Sequence, residues 1–170
     1  TPLLDVSDSD DGKSAKMGHT QDSTPNFPLT SVPAATIDVW LLVLPGFAIL
    51  DATGPAQVFS TANDEARDAR LPPPYIIHMV SPGGGLVMSA AGVSLMTEPL
   101  PTDGLAGSTL IMVGARGMEN RNSPVITPDI VRWVAAAGSG GKAVARCCSV
   151  CTGAFLLARS GLLDGRRAVT

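Results

Sequence analysis

Residues 37–44 of this chain, IDVWLLVL, are apolar at seven of eight positions, and that pattern narrows the folds open to it. A strand with one wet face alternates apolar and polar residues, whereas a run without alternation needs cover on both faces, as inside a parallel sheet. Residues 109–113 (TLIMV) repeat the pattern, and residues 143–151 (AVARCCSVC) read as a further strand-type run. Helix signals stand between them. Pro55 suits the first turn of a helix reaching about residue 70, with Val58 and Phe59 toward the core and Asp64, Glu65 and Arg67 outward. Thr127-Pro128-Asp129 starts a second helix, with Thr as cap, Pro in the first turn and Asp favourable to the helix dipole. Ile130, Val131 and Val134 form its apolar face, and the glycines of residues 138–141 stop it. A third apolar helix of about ten residues follows Thr152-Gly153. Strands alternating with helices predict an α/β layered, mostly parallel sheet rather than a barrel or sandwich.

The intervening segments complete the outline. Pro72-Pro73-Pro74 is a rigid connector into a second strand at residues 75–81. After the turn Ser81-Pro82-Gly83-Gly84-Gly85, residues 86–89 and 93–96 read as a small hairpin or edge. Residues 1–35 are rich in Ser, Thr, Asp and Pro with isolated apolar residues; burial there does not offset ordering entropy, so a disordered tail is expected, with the folded domain at 36–170. In open α/β sheets ligands bind beyond the carboxyl ends of the strands. Three loops are expected to meet there: residues 45–54, residues 114–117, and the turn at Cys151.

Charge and cysteine usage exclude several function classes. The net charge is −3, but the first 35 residues hold five Asp against two Lys, so the rest of the chain carries ten acids and ten bases. A folded part without a basic excess does not bind nucleic acid by itself. Cys147, Cys148 and Cys151 are clustered rather than dispersed, which fits reduced thiols in a cytosol better than a secreted disulfide scaffold. A zinc site needs about four ligands, and the histidines are His19, in the polar tail, and His78, in a strand, so no metal is expected. Cys148 and Cys151 form a C-x-x-C, but three extended residues hold their Cα atoms about 10 Å apart, too far for a disulfide without rearrangement. Gly83-Gly84-Gly85 lacks the Lys of a phosphate loop, and no cofactor is expected. The start lacks a signal peptide, and the longest apolar run, at residues 39–50, is broken by Pro45-Gly46 and too short to span a membrane. A soluble, cytoplasmic chain is expected. It reads as a fragment, since it lacks an initiator Met and stops just after Asp164-Gly165 begins what reads as another strand.

The chemistry concentrates at Ser149-Val150-Cys151-Thr152-Gly153. Small residues two places either side of a nucleophile are what a nucleophile elbow needs, because its tight turn brings neighbouring Cβ atoms into collision. A thiol at a helix start sits beside unpaired N–H groups, which favour thiolate. The competing reading is that Cys151 is a small buried apolar residue. Asp51 is the one acid in the loop after the first strand and is read as a partner or proton carrier for Cys151, or as cap of the helix near Pro55. The N–H groups of Thr152 and of Gly114 or Ala115 are expected to form an anion pocket, with the Thr152 hydroxyl adding a polar contact. Arg116 faces either this pocket or solvent. His78 is expected to pack within the strand rather than act as a base, and Trp40 and Trp133 to serve packing.

Two motifs carry a resemblance. SVCTGAFLLARSGLLDGRRAVT, together with LPGFAILDATGPAQVF and its LD-x-x-GP loop, resembles the DJ-1/PfpI superfamily, also described as class I glutamine-amidotransferase-like. Within it the likeness is to the amino-terminal domain of AraC-family regulators of the GlxA type, over residues 37–170. The resemblance implies a flavodoxin-like three-layer sandwich, a homodimer, a pocket for a small-molecule ligand that includes Gly54, Gly114, Ala115 and Arg116, and DNA contact only through a carboxy-terminal helix-turn-helix domain. Isonitrile hydratases of the superfamily share both motifs, and for them the resemblance implies Cys151 and Asp51 as catalytic, assisted by Thr152. An oxidative-stress or glyoxalase-like role is a third implied activity. The hydratases have Pro-Gly-Gly where this chain has Val113-Gly114-Ala115, which is more regulator-like. The superfamily also continues past residue 170 with a His-Trp pair and further elements.

Overall fold

The computed structural model describes residues 35–139 and 143–169. The expectations for the tail, including His19, and for the glycine stop at residues 140–141 lie outside the described residues. In chain order the elements are β1 (Ile37–Leu42), α1 (Ile49–Asp68), β2 (Tyr75–Ser81), β3 (Gly85–Met88), β4 (Ser94–Pro99), β5 (Thr109–Met112), α2 (Pro128–Gly138), β6 (Arg146–Ser149) and α3 (Gly153–Arg159). The strands form one sheet in the order β3-β4-β2-β1-β5-β6. β1 is parallel to β2 and β5, β5 to β6, and β2 to β4, while β3 runs antiparallel to β4 as the hairpin. This is the flavodoxin-like α/β arrangement that the alternation and the resemblance imply.

The unbroken apolar runs become the centre of that sheet. Val39, Leu41, Leu42 and Val43 of the first run and Leu110, Met112 and Val113 of the second have 1% exposure or less. β1 and β5 lie side by side but are far apart in sequence: from β1 the chain passes to β2 on one side, and from β5 to β6 on the other. Loops leaving two such strands diverge, which opens a crevice at their carboxyl ends.

α1 corrects the expected helix start. It begins at Ile49, so the loop that was to end at Pro55 is coiled into helix and Pro55 lies inside it. The helix tolerates the proline with the loss of one backbone bond, the one that would reach the Asp51 carbonyl. α1 is fixed to β2 by Asn63, which donates to the Tyr75 carbonyl and accepts from the Tyr75 amide, each at 2.9 Å, and by an edge contact between Phe59 and Tyr75. Ala52, Phe59 and Asn63 share the inward face, which carries Val58 about 100° round the helix to 67% exposure, against expectation. α2 begins as predicted, with the Ile130 amide donating to the Thr127 hydroxyl and with Ile130 and Val134 buried. α3 is seven residues long rather than ten. Among the described residues no strand follows Asp164-Gly165: Gly161 and Gly165 both take positive φ, and residues 161–166 are turns and a bend.

Candidate functional site

The turn at Cys151 is a strained strand-to-helix elbow. β6 ends with the Val150 amide donating to the Met112 carbonyl at 2.9 Å, and the Gly153 amide closes the turn on the Val150 carbonyl at 3.0 Å. Cys151 between them has φ 52°, and among the described residues only Arg70 shares a positive φ without being glycine. An L-residue there costs about 1–2 kcal/mol. Gly153 follows for a steric reason: a Cβ on it would stand 2.2 Å from the Met112 carbonyl oxygen. The side chain of Cys151 is exposed to the crevice while Ala154, Leu156 and Leu157 of α3 are buried.

Phe47, fully buried, centres the laced loops above β1 and β5. Gly46 donates its amide to the Met88 carbonyl, Ala90 to that of Phe47, Ala48 to that of Gly114 and Arg116 to that of Gly46, all at 2.9–3.0 Å. Every one of these is a backbone bond, so the loops hold their shape independently of side-chain identity. Gly114 is the point at which the chemistry converges. A Cβ there would lie 2.7 Å from Asp51 Oδ2, 3.0 Å from Thr152 Oγ1 and 3.1 Å from Cys151 Cβ. Three side chains from α1, the elbow and the start of α3 therefore pack around one bare backbone position.

Together these groups line a cavity of about 300 Å³, bounded by Asp51, Gly114, Ala115, Arg116, Cys151 and Thr152 with Gly46, Ala48, Ala90, Gly117 and Glu119. Asp51 sits in the first turn of α1, where a carboxylate is favourable. It does not cap a helix at Pro55, because the helix starts earlier. Its Oδ2 is buried with no hydrogen-bond partner among the described residues. Thr152 Oγ1 accepts from the Ala115 amide at 3.2 Å and donates to the Ala115 carbonyl at 3.1 Å. That amide also meets Met118 Sδ at 3.1 Å. The Ala115 N–H expected in an anion pocket is thus committed within the protein, since an amide shared between two acceptors has no lone direction left for a ligand.

Six of the seven residues singled out from sequence meet at this cavity. Gly54 does not: it lies on the exposed side of α1, and space around it is open. Arg116 lines the cavity and is also exposed, so its two expected placements coincide at the rim. Gly46, Ala48 and Gly117 belong to the loops expected to meet there, whereas the walls from Ala90 and Glu119 were not anticipated. Ala90 arrives from a hairpin with no motif.

The remaining candidates lie elsewhere. His78 stacks on Trp40 with ring centroids 3.9 Å apart, between Asp38 at 3.0 Å and Glu98 at 3.3 Å, at the middle of β2 and outside the cavity lining. Trp133 donates to the Pro101 carbonyl at 3.1 Å. None of the three cysteines is in a disulfide. Burial, and secondarily Cys148 beside it, pushes the Cys147 thiol up to about 11. Among the described residues no group of three or more His, Cys, Asp or Glu can hold a metal ion, and no helix is long and apolar enough to cross a membrane.

No family model matches the chain. An uncharacterised protein from the cpoL 5′ region of Streptomyces lividans is 40% identical over 136 residues, 78% of this chain and 85% of that protein. The HTH-type transcriptional regulator CdhR of Pseudomonas aeruginosa is 30% identical over 131 residues; the match takes in 77% of this chain but 35% of the regulator. Among solved structures, an AraC family transcriptional regulator from Pseudomonas putida superposes with a TM-score of 0.61 at 24% identity, over 76% of this chain and 64% of that one. A ThiJ/PfpI family protein from Pseudomonas syringae does so at 0.58 and 22% identity, over 86% of this chain and 55% of that one.

Proposed function

We propose, from the premise that this chain belongs to the DJ-1/PfpI superfamily, that residues 36–170 are the ligand-sensing part of an AraC-type transcriptional regulator. A small molecule seats in the cavity beside Asp51, Cys151 and Arg116. Its presence is passed through a homodimer, in the cytoplasm, to helix-turn-helix segments carried by another part of the regulator. The observation that carries this reading is that one of the expected anion-pocket donors, the Ala115 amide, is committed to Thr152 and Met118. A hydrolytic elbow needs such donors aimed at the developing oxyanion, whereas a pocket that only binds does not. The CdhR match supports the same division of labour, since the matched part is about a third of that regulator. The near-neutral charge of residues 36–170 leaves DNA contact to a separate segment.

The test is a DNA-binding assay on the complete polypeptide, with the DNA flanking its own gene and a metabolite library. At least one metabolite should change DNA affinity about tenfold, a coupling of ~1.4 kcal/mol. Gly114→Val, which fills the convergence point of Asp51, Thr152 and Cys151, should abolish the response. No DNA binding under any condition sinks this reading.

A second reading rests on the strained φ of Cys151 and the Asp51 carboxyl beside Gly114: Cys151 attacks an isonitrile carbon and Asp51 carries the proton as water is added. Turnover of an isonitrile panel by wild type and its loss in Cys151→Ser would establish it; equal rates in the two exclude it.

A further inference from the structure

We infer that the cavity selects its ligand through a hydrogen-bond donor head group, an ammonium or a primary amide, directed at Asp51 Oδ2; this rests on reading the cavity as a ligand site. Neither Thr152 nor Ala115 supplies a proton to that oxygen. Thr152 Oγ1 shares the surroundings of Gly114 with Asp51 Oδ2, but its hydrogen goes to the Ala115 carbonyl. The Ala115 amide is used by Thr152 Oγ1 and Met118 Sδ. Among the described residues Oδ2 is a buried acceptor with no hydrogen-bond partner, and buried acceptors are nearly always paired in functional states. A ligand that brings an N–H supplies the missing partner, and a cationic N–H supplies the stronger form of it.

The rest of the lining agrees. Gly46, Ala48, Ala90, Ala115 and Gly117 contribute small walls without charged groups, and the lining holds two acidic side chains, Asp51 and Glu119, against the single guanidinium of Arg116. At about 300 Å³ the cavity is at the small end of ligand sites, which suits a short apolar tail behind the head group. The opposite preference has one route, a carboxylate held by Arg116 at the rim, and it leaves Oδ2 facing a like charge.

Three probes of equal length separate the cases: butylammonium, butyramide and butyrate, titrated into the complete polypeptide and followed by amide chemical shifts. Butylammonium and butyramide should move the resonances of Gly114 and Ala115 and bind at least about tenfold more tightly than butyrate, the value of one charge-assisted hydrogen bond. Asp51→Asn should remove the preference for the ammonium, with its folding checked by thermal denaturation. The wild-type ranking decides the matter even without the variant. Butyrate binding as tightly as the ammonium, binding with unmoved Gly114 and Ala115 signals, or no binding of any probe up to its solubility limit overturns the inference. The DNA-binding assay judges the regulator reading separately, because it screens metabolites of any head group.

Discussion

Replacing Gly153 with Ala places a methyl group 2.2 Å from the Met112 carbonyl oxygen, 2.8 Å from its carbon and 3.3 Å from Met112 Cβ. The first two neighbours are backbone atoms of β5, a strand with Leu110 and Met112 fully buried, so rotating a side chain cannot relieve the overlap. The same carbonyl accepts the Val150 amide; moving it away from Gly153 breaks the bond that ends β6. Overpacking costs about 1–3 kcal/mol where side chains can adjust. With rigid backbone and one hydrogen bond worth about 1 kcal/mol at risk, a loss of about 3–4 kcal/mol is expected, or roughly 10 °C in Tm for a chain of this length. Gly54→Ala is the matched control: it lies in α1 and, its chain neighbours apart, nothing stands within 4 Å of the added Cβ. The gain from the better helix former is offset by the clash of a Cβ with the ring of Pro55 that follows, so a change of no more than about 1 kcal/mol in either direction is expected. Urea denaturation followed by far-UV circular dichroism measures both. A Gly153→Ala loss below about 1 kcal/mol, or a Gly54→Ala loss as large as that of Gly153→Ala, would refute the steric reasoning.

Cys151→Gly should stabilise the fold by up to about 1 kcal/mol by releasing the positive φ, while removing isonitrile turnover if that activity is present; denaturation and the isonitrile assay read the two effects. Thr152→Val keeps the shape but strips both bonds to Ala115, and a loss of about 1–2 kcal/mol is expected from denaturation. Iodoacetamide at neutral pH should label the exposed Cys148 and Cys151 well before Cys147, which peptide mass spectrometry resolves. The Cys147 thiol is raised from its ordinary 9.0 to about 11, so the native state holds that proton more tightly than the unfolded chain. Its contribution to stability is full below 9.0 and is lost as pH rises toward 11; Cys147→Ala should flatten that alkaline decline in a pH series of melts.

Much of this arrangement is legible in the residues themselves. A run such as residues 37–44 or 109–113 has one physical outcome, since unalternated apolar strands must be covered on both faces, and those runs became the buried centre of the sheet. The elbow was legible for a similar local reason: Ser149-x-Cys151-x-Gly153 meets a steric demand that acts over five residues, and the structure supplies its cause in the contact between Gly153 and Met112. Local signals failed where the outcome depended on distant partners. Pro55 marks a helix start in most settings, yet here the helix begins at Ile49, its first turn closed by the Asp51 amide on the Ala48 carbonyl. That shift put Gly54 on an outer face and Asp51 on an inner one.

Part of the composition of the cavity was decided only in three dimensions. Nothing in Gly114-Ala115 states that the Ala115 amide will be taken by Thr152, 37 positions on, or that Ala90 and Glu119 will join the walls. The sequence by itself determined the layers, the elbow and the place of Cys151 in it, because each follows from patterns within one element. Only the tertiary structure decided which donors are spent and which acceptor, Asp51 Oδ2, is left over, because hydrogen-bond satisfaction is a property of the assembled loops and of no single one of them.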